Sequence, residues 1–404
     1  RESPEVARFL QAAWRLERRR ALTRAVLTAA AGLALLAILF YAALADHERR
    51  RAEASQRQLI ATMDDLVGDL DWKLSWLPYT REVREKMLSG FRRHLAELTP
   101  QQRESPEVRR VTIKVMHRQA DLAFHDGSLA QAAQYLAEAW EELRAAGAGR
   151  PGGESLAQLL ALNHSKRGKV EQARGRLDVA CAHFEQAVRE LKRPGVTSGD
   201  EVDDRRTLAV SAAELAECTF AAGRWDETVA LLDEAIRLHE QNGESYNEAL
   251  LAQVLARRGD VARASGQTDA AKAFLERALR LGQGSFAKAP AGDQYSRWVL
   301  ARVLVDVASL QATLGPREEA EFNYREARGL GERLREGEPL GKRYSLVWLH
   351  ALKGQEALTG DREQAMRLHT ERCTLAREFK DRDGEDVRFV FADCPSGPRS
   401  VEGP

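Results

Sequence analysis

Neither sign of charge is in excess: the 404-residue chain carries 61 Lys and Arg against 61 Asp and Glu. Such a balance supplies no global field to draw in nucleic acid or an acidic partner. Cysteine is scarce and scattered. Cys181, Cys218, Cys373 and Cys394 stand far apart with no paired spacing. That pattern predicts neither a disulfide framework nor a zinc site, and reads most of the thiols as small core residues. Runs of β-branched residues are also rare, whereas Ala, Leu, Arg and Glu abound, so an almost all-α protein is expected. No phosphate-cradling loop of the Walker type occurs, and the nine histidines lack a His-Glu-x-x-His spacing. "CAH" at 181–183 would set its side chains on different faces of a helix, which suits a metal poorly. No nucleophile has a base at a readable spacing. The segment is therefore expected to be non-catalytic, with no cofactor and no metal.

What is present begins with a repeated hexapeptide. "RESPEV" stands at 1–6 and again at 103–108. Both copies read as a helix start: Ser3 and Ser105 as caps, Pro4 and Pro106 at the first helical position, Glu5 and Glu107 at the positive end of the dipole. The sequences that follow diverge, so the hexapeptide is a shared start device and not a duplicated domain. The chain begins without Met inside a charged helix, which suggests a piece of a longer protein with more sequence upstream.

"AVLTAAAGLALLAILFYAALA" runs over 25–45 without a charge. About 20 apolar residues span about 30 Å as a helix, so a single transmembrane helix is expected here. Seven arginines precede it (Arg1, Arg8, Arg15, Arg18, Arg19, Arg20 and Arg24), and Arg49, Arg50, Arg51 and Arg57 follow. That modest bias puts the basic linker helix 1–24 in the cytoplasm and the larger part of the chain outside. Gly32 and the alanines would permit close pairing of two such helices, so self-association is also considered.

Residues 46–99 read as a helical hairpin beside the membrane. Leu59, Met63, Leu66, Leu70, Leu74 and Leu77 form one stripe, and Val83, Met87, Phe91, Leu95 and Leu98 a second. The two stripes are expected to bury against each other, making a spacer or cap, or else a signal-transmitting stalk.

From 106 to 380 one pattern recurs: Gly, a small residue five on, a large residue four later, then Ala three later. The copies are Gly127/Ala132/Leu136/Ala139, Gly175/Ala180/Phe184/Ala187, Gly223/Thr228/Leu232/Ala235, Gly266/Ala271/Leu275/Ala278 and Gly315/Ala320/Tyr324/Ala327. A degraded sixth copy is Gly360/Ala365/His369/Arg372. Seven residues before each Gly stands a small residue (Ala120, Gly168, Ala216, Gly259, Ala308), except for Lys353 in the last. The Gly turns the chain, and the small residues let two helices press together. One such pair cannot hide its apolar face, so pairs must stack. "AECTFAAGRWDETVALLDEAIRL" and "GDVARASGQTDAAKAFLERALRL" resemble the tetratricopeptide repeat. The resemblance implies an all-α solenoid of about six helix pairs, although Gly-to-Gly steps of 48, 48, 43, 49 and 45 residues exceed the usual period of about 34. "LGQGSFAKAP" at 281–290 looks like a kinase glycine-rich loop, but it follows a second repeat helix instead of joining strands. The tail 381–404 is expected to be disordered.

By the same resemblance, the first helix of each pair lines a concave face that holds a protein or peptide. Lys114, His117, Asp121, His125, Lys169, Glu217, Gln253, Asp260, Arg263, Arg302 and Ser309 are the candidate partner-binding residues, polar and of mixed sign. The order of basic linker, apolar run, "DDLVGDLDWKL…FRRHLAEL" and repeats is similar to the C-terminal half of bacterial STAND-type signalling ATPases. It is similar also to transmembrane Ser/Thr kinases with C-terminal repeats. In either family the catalytic part would lie upstream of residue 1. A membrane-tethered assembly scaffold is the third expectation.

Overall fold

The structure is a computed structural model that describes residues 44, 46–48, 50–51, 53–77, 79–147, 156–193, 202–242, 245–290, 293–337, 342–383 and 394. The chain divides into two units, Arg1–Thr62 and Met63–Pro404. In the first, residues 53–62 are helical, and Arg57 pairs with Glu53 one turn away at 3.9 Å. Among the described residues no helix is long and apolar enough to cross a membrane. The expected linker helix 1–24 and the apolar run 25–45, apart from Leu44, lie outside them, as does the first copy of the hexapeptide.

The second unit opens with a π-helical turn, Leu66–Leu70, followed by α1 (Asp71–Leu74), α2 (Arg81–Glu97) and α3 (Pro100–Arg103). The hairpin stripes expected from periodicity are buried only in part, at Met63, Leu95 and Leu98. Leu70 and Leu77 stay 40% exposed and Val83 59%, while Met63, Val67, Asp71, Arg84, Leu88 and Leu95 are buried. In the first arm the physical reason is the π-turn, whose extra residue per turn resets the phase of the 3.6-residue stripe. The inward face then lands on Asp71. Its carboxylate accepts two hydrogen bonds from Arg84, at 2.9 and 3.1 Å, and ties the two arms by charge.

The repeats follow as α4 (Pro106–His125), α5 (Leu129–Ala145), α6 (Ala157–Ala173), α7 (Leu177–Leu191), α8 (Val202–Ala221), α9 (Trp225–Asn242), α10 (Ser245–Ala264), α11 (Thr268–Lys288), α12 (Gln294–Leu314), α13 (Arg317–Gly337), α14 (Lys342–Leu358) and α15 (Arg362–Asp383). The second hexapeptide behaves as its chemistry predicts: the Ser105 hydroxyl accepts from the Val108 N–H at 3.3 Å, with Pro106 beside it. Gly127 and Gly175 both turn at φ +77°. Beyond each, the next N–H reaches back five residues, Ser128 to the Ala123 carbonyl and Arg176 to that of Glu171, at 2.9 Å. Only a residue without Cβ takes that left-handed position freely, so the Gly ends one helix and aims the next.

Ala132, Leu136 and Ala139, and their counterparts in the next four pairs, are all buried. Each fully buried Leu or Phe contributes roughly 1.5–3 kcal/mol. In the sixth pair the burial shifts to Leu368. Arg372, fully enclosed, is held by Glu356 at 2.8 Å. The 281–290 stretch lies largely within α11, with Gly282 and Ser285 buried on it, so it is a helix and not a phosphate loop. The described residues thus form an all-α, tetratricopeptide-like solenoid.

The cysteine expectation is overturned. Cys181 on α7 is bonded to Cys218 on α8, and Cys373 on α15 to Cys394. Neither pair shows as a short spacing because each joins segments that only folding brings together. The tail 381–404 contributes four described residues: Asp381, Arg382 and Asp383, onto which α15 runs, and Cys394.

Candidate functional site

First helices touch first helices in sequence: α4 with α6, α6 with α8, α8 with α10, α10 with α12, and α12 with α14. Their common face carries charges in near-equal register, because each repeat returns the same helical position after 43 to 49 residues. The result is a ladder of ion pairs. Lys166 on α6 pairs with Asp121 on α4, Lys169 on α6 with Glu214 on α8 at 2.5 Å, and Arg257 on α10 with Glu217 on α8 at 2.6 Å. Ser165 donates to the second oxygen of Glu214 at 2.5 Å. Burial would push the Asp121 carboxyl up, but Lys166 and Arg118 overcome it and hold the group below the ordinary carboxylate range. For Lys169, burial acts downward, and Glu214 outweighs it to raise the ammonium.

The ladder changes character toward α14. Among the described residues Asp306 on α12 has no salt-bridge partner. Burial and the neighbouring Asp260 push its carboxyl up to about 7, against the pull of Arg302, Arg257 and Arg263. Asp260 is raised too, by burial, although Arg263 contacts it at 3.3 Å. Arg302 is exposed, and no carboxylate lies in salt-bridge range of it among the described residues. Behind them, Ser309 hydrogen-bonds Tyr324. Burial, with Arg302 and Lys353, brings His350 on α14 down to about 4 and keeps it neutral.

The candidates named from sequence therefore have separate fates. Lys169, Glu217, Asp121 and Asp260 meet charged partners on this face, and Lys114 pairs with Asp64 at 2.7 Å. Gln253 donates to the Tyr295 hydroxyl at 2.9 Å. His125 is half-buried beside Phe124. His117 is not on the face: it is buried between α4 and α6, 3.1 Å from the Asn163 amide, and burial lowers it to about 3. Periodicity selected it because a turn of helix places it next to Lys114 and Asp121, and periodicity alone does not say which edge of a stripe meets a neighbour. Lys166, Glu214, Arg257 and Asp306 were missed, although each lies three or four residues from a named candidate on the same helix.

A second occupant of the face was not visible in the sequence. Residues 63–77, 79 and 80 lie along it. Arg118 on α4 donates to the Val67 and Gly68 carbonyls of the π-turn, at 3.1 and 3.0 Å, and its guanidinium is 3.7 Å from Asp71. Trp76 is seated on α12, its ring edge-on to Tyr295 at 4.4 Å and stacked on Trp298 at 6.2 Å. The Gln294 N–H donates to the Trp76 carbonyl at 3.0 Å, and the Tyr79 hydroxyl donates to the Glu336 carbonyl on α13 at 2.9 Å. One short strap touches both α4 and α12, four pairs apart in the chain, so the face it lies on is concave.

Residues 207–283 match a tetratricopeptide repeat family. Comparison with curated proteins found no match. Similar solved structures include a Rap protein complexed with competence and sporulation factor, at 12% identity and TM-score 0.49, covering 83% of this chain and 96% of that one. BtubC from P. vanneervenii is similar at 18% identity and TM-score 0.47, covering 63% and 91%. A STAND protein with a tetratricopeptide repeat sensor from Pyrococcus horikoshii is similar at 12% identity and TM-score 0.38, covering 77% of this chain and 48% of that one.

Proposed function

We propose that this chain is the membrane-anchored sensor region of a bacterial signalling protein, in which the concave face of the repeats binds a protein or peptide and a catalytic module lies upstream. The observation that carries the reading is the contrast along one face. From α4 to α10 the charges satisfy one another across adjacent helices, while at α12 no salt bridge to a neighbouring helix engages Arg302 or Asp306 among the described residues. A partner segment bearing both a carboxylate and a basic group would satisfy them. In this reading residues 25–45 cross the membrane and the repeats lie on its outer side. The arginine bias supports that orientation. So do the two disulfides, because such bonds persist in oxidising compartments and are rare in the cytosol.

The test is capture of partners from a bacterial membrane extract on the intact chain in detergent. Arg302→Glu, alone and with Arg263→Glu, is expected to lose at least one captured protein that Arg325→Glu, an exposed change on second helix α13, retains. Retention of every captured protein by the double variant would refute the reading. For the anchor, the intact chain is expected to stay with membranes through alkaline carbonate and to leave only with detergent.

A further inference from the structure

We propose that residues 64–80 are an exchangeable internal ligand of the concave face, and that their seat on α12 takes an external segment of the same chemistry: an acidic helical turn followed by an aromatic side chain. The inference rests on the reading of this face as a partner site and names what the partner carries.

The contacts are those of a docked ligand. Acidic Asp64 and Asp71 meet basic Lys114 and Arg118, and the Arg118 guanidinium reads two main-chain carbonyls of the π-turn. One aromatic side chain, Trp76, enters the seat made by Tyr295 and Trp298, and one backbone hydrogen bond from Gln294 fixes its depth. An ion-pair entry followed by an aromatic anchor is how a peptide is recognised, with specificity concentrated in a few buried groups.

The fit is also incomplete, as an exchangeable occupant requires. Leu70 and Leu77 remain 40% exposed and Tyr79 78%. Tyr79 stands at φ +62°, the only non-glycine residue with positive φ among the described residues. A side chain there is strained, and the π-turn upstream is itself an irregular, less favoured helix. On the seat, the Trp298 indole N–H is buried with no hydrogen-bond acceptor among the described residues. An incoming segment that offers that N–H an acceptor gains what the strap fails to supply. Strap and partner compete for one aromatic seat, so partner binding frees the segment that continues covalently toward residue 62.

The experiment uses the intact chain and a fluorescent synthetic peptide of residues 64–80 as probe. Trp76→Ala empties the seat. It is expected to bind the peptide at least tenfold more tightly than the unaltered chain, and Trp298→Ala added to it abolishes the gain. Amide hydrogen exchange across 64–77 is expected to rise at least tenfold in Trp76→Ala while α8 to α11 stay unchanged. Arg118→Gln, which releases the π-turn without emptying the seat, should raise the same exchange and the same binding to a smaller extent. Equal peptide binding by all folded variants, including none by any, overturns the proposal. So does loss of helix content in both Trp76→Ala and Arg118→Gln, which would make the strap part of the core. Partner capture that depends on Arg302 while the peptide binds no variant would sink this inference and leave the proposed function standing.

Discussion

Phe184 lies so closely over Gly168 that a Cβ on the glycine would stand 2.6 Å from its ring. The same relationship recurs between Leu275 and Gly259, where the distance would be 2.7 Å. In both, a large side chain of the second helix fills the place left by a missing side chain on the first. Gly168→Ala is therefore expected to lower stability by about 1–3 kcal/mol through overpacking. Gly90, exposed on α2 with nothing within 4 Å of its would-be Cβ, makes the matched control. There Ala is expected to add about 0.5–1 kcal/mol by removing a flexible residue from a helix. Urea unfolding followed by circular dichroism reads both, and equal signs for the two substitutions would contradict the packing account.

The Asp71–Arg84 pair is closed off from water, with side chains 0% and 7% exposed. Removing one member strands the other charge. Asp71→Ala is expected to cost about 3–5 kcal/mol, whereas the apolar double change Asp71→Leu with Arg84→Met costs much less. A double-mutant cycle on the urea midpoints tests this, and equal losses for the single and double changes would show that the pair matters only for packing.

Reduction of the disulfides offers a third test. Cys181 and Cys218 close a loop of 37 residues between neighbouring pairs. Breaking it is expected to cost about 3–4 kcal/mol, mostly through the freedom returned to the unfolded chain. Melting should move down in reductant for the natural sequence. The variant with Cys181→Ala, Cys218→Ala, Cys373→Ala and Cys394→Ala should start low and be indifferent to reductant. Free thiols found by mass spectrometry in the oxidised, folded protein would refute the pairing.

Titration should act with two opposite signs. Burial, with Lys166 and Arg118 beside it, lowers His117 to about 3, and burial with His183 lowers His164 to about 4. Their folded values lie below the unfolded one, so the unfolded chain takes up protons first. The stability they allow is intact above about pH 6.5 and falls as pH drops toward those values, by up to ~1.4 kcal/mol per unit for each group. His117→Asn should remove one such increment from the slope. Asp306 is raised instead, to about 7, so its ionisation costs stability as pH rises from about 4 to 7. Asp306→Asn is expected to stabilise at pH 8, on the order of 1 kcal/mol for a group still touching solvent, and to be neutral at pH 4. Urea midpoints at four pH values give both slopes, and a slope of the wrong sign for either variant would refute the corresponding burial argument.

Much of the architecture was legible before any coordinate. The glycine turns at Gly127, Gly175, Gly223, Gly266 and Gly315, the buried positions that follow each of them and the Ser105 cap all stand where the residue pattern puts them. Half of the concave ladder was legible as well, since Lys169, Glu217 and Asp260 occupy one helical phase in successive repeats. The first hairpin stripe holds only in part, because the π-turn at Leu66–Leu70 resets the phase that periodicity assumes to be constant.

What the residue order determined by itself is everything local: which stretches coil, where they turn, and which side of each helix shuns water. Those properties arise from neighbours within a turn or two of helix, so they leave a periodic trace. Only the tertiary structure decided that Trp76 sits against Tyr295, that Cys181 meets Cys218, and that Arg118 grips the carbonyls of a distant helix. Such contacts depend on how many pairs stack before the face curves back on itself. Every stacking angle along the way contributes to that sum, and no spacing in the chain encodes it.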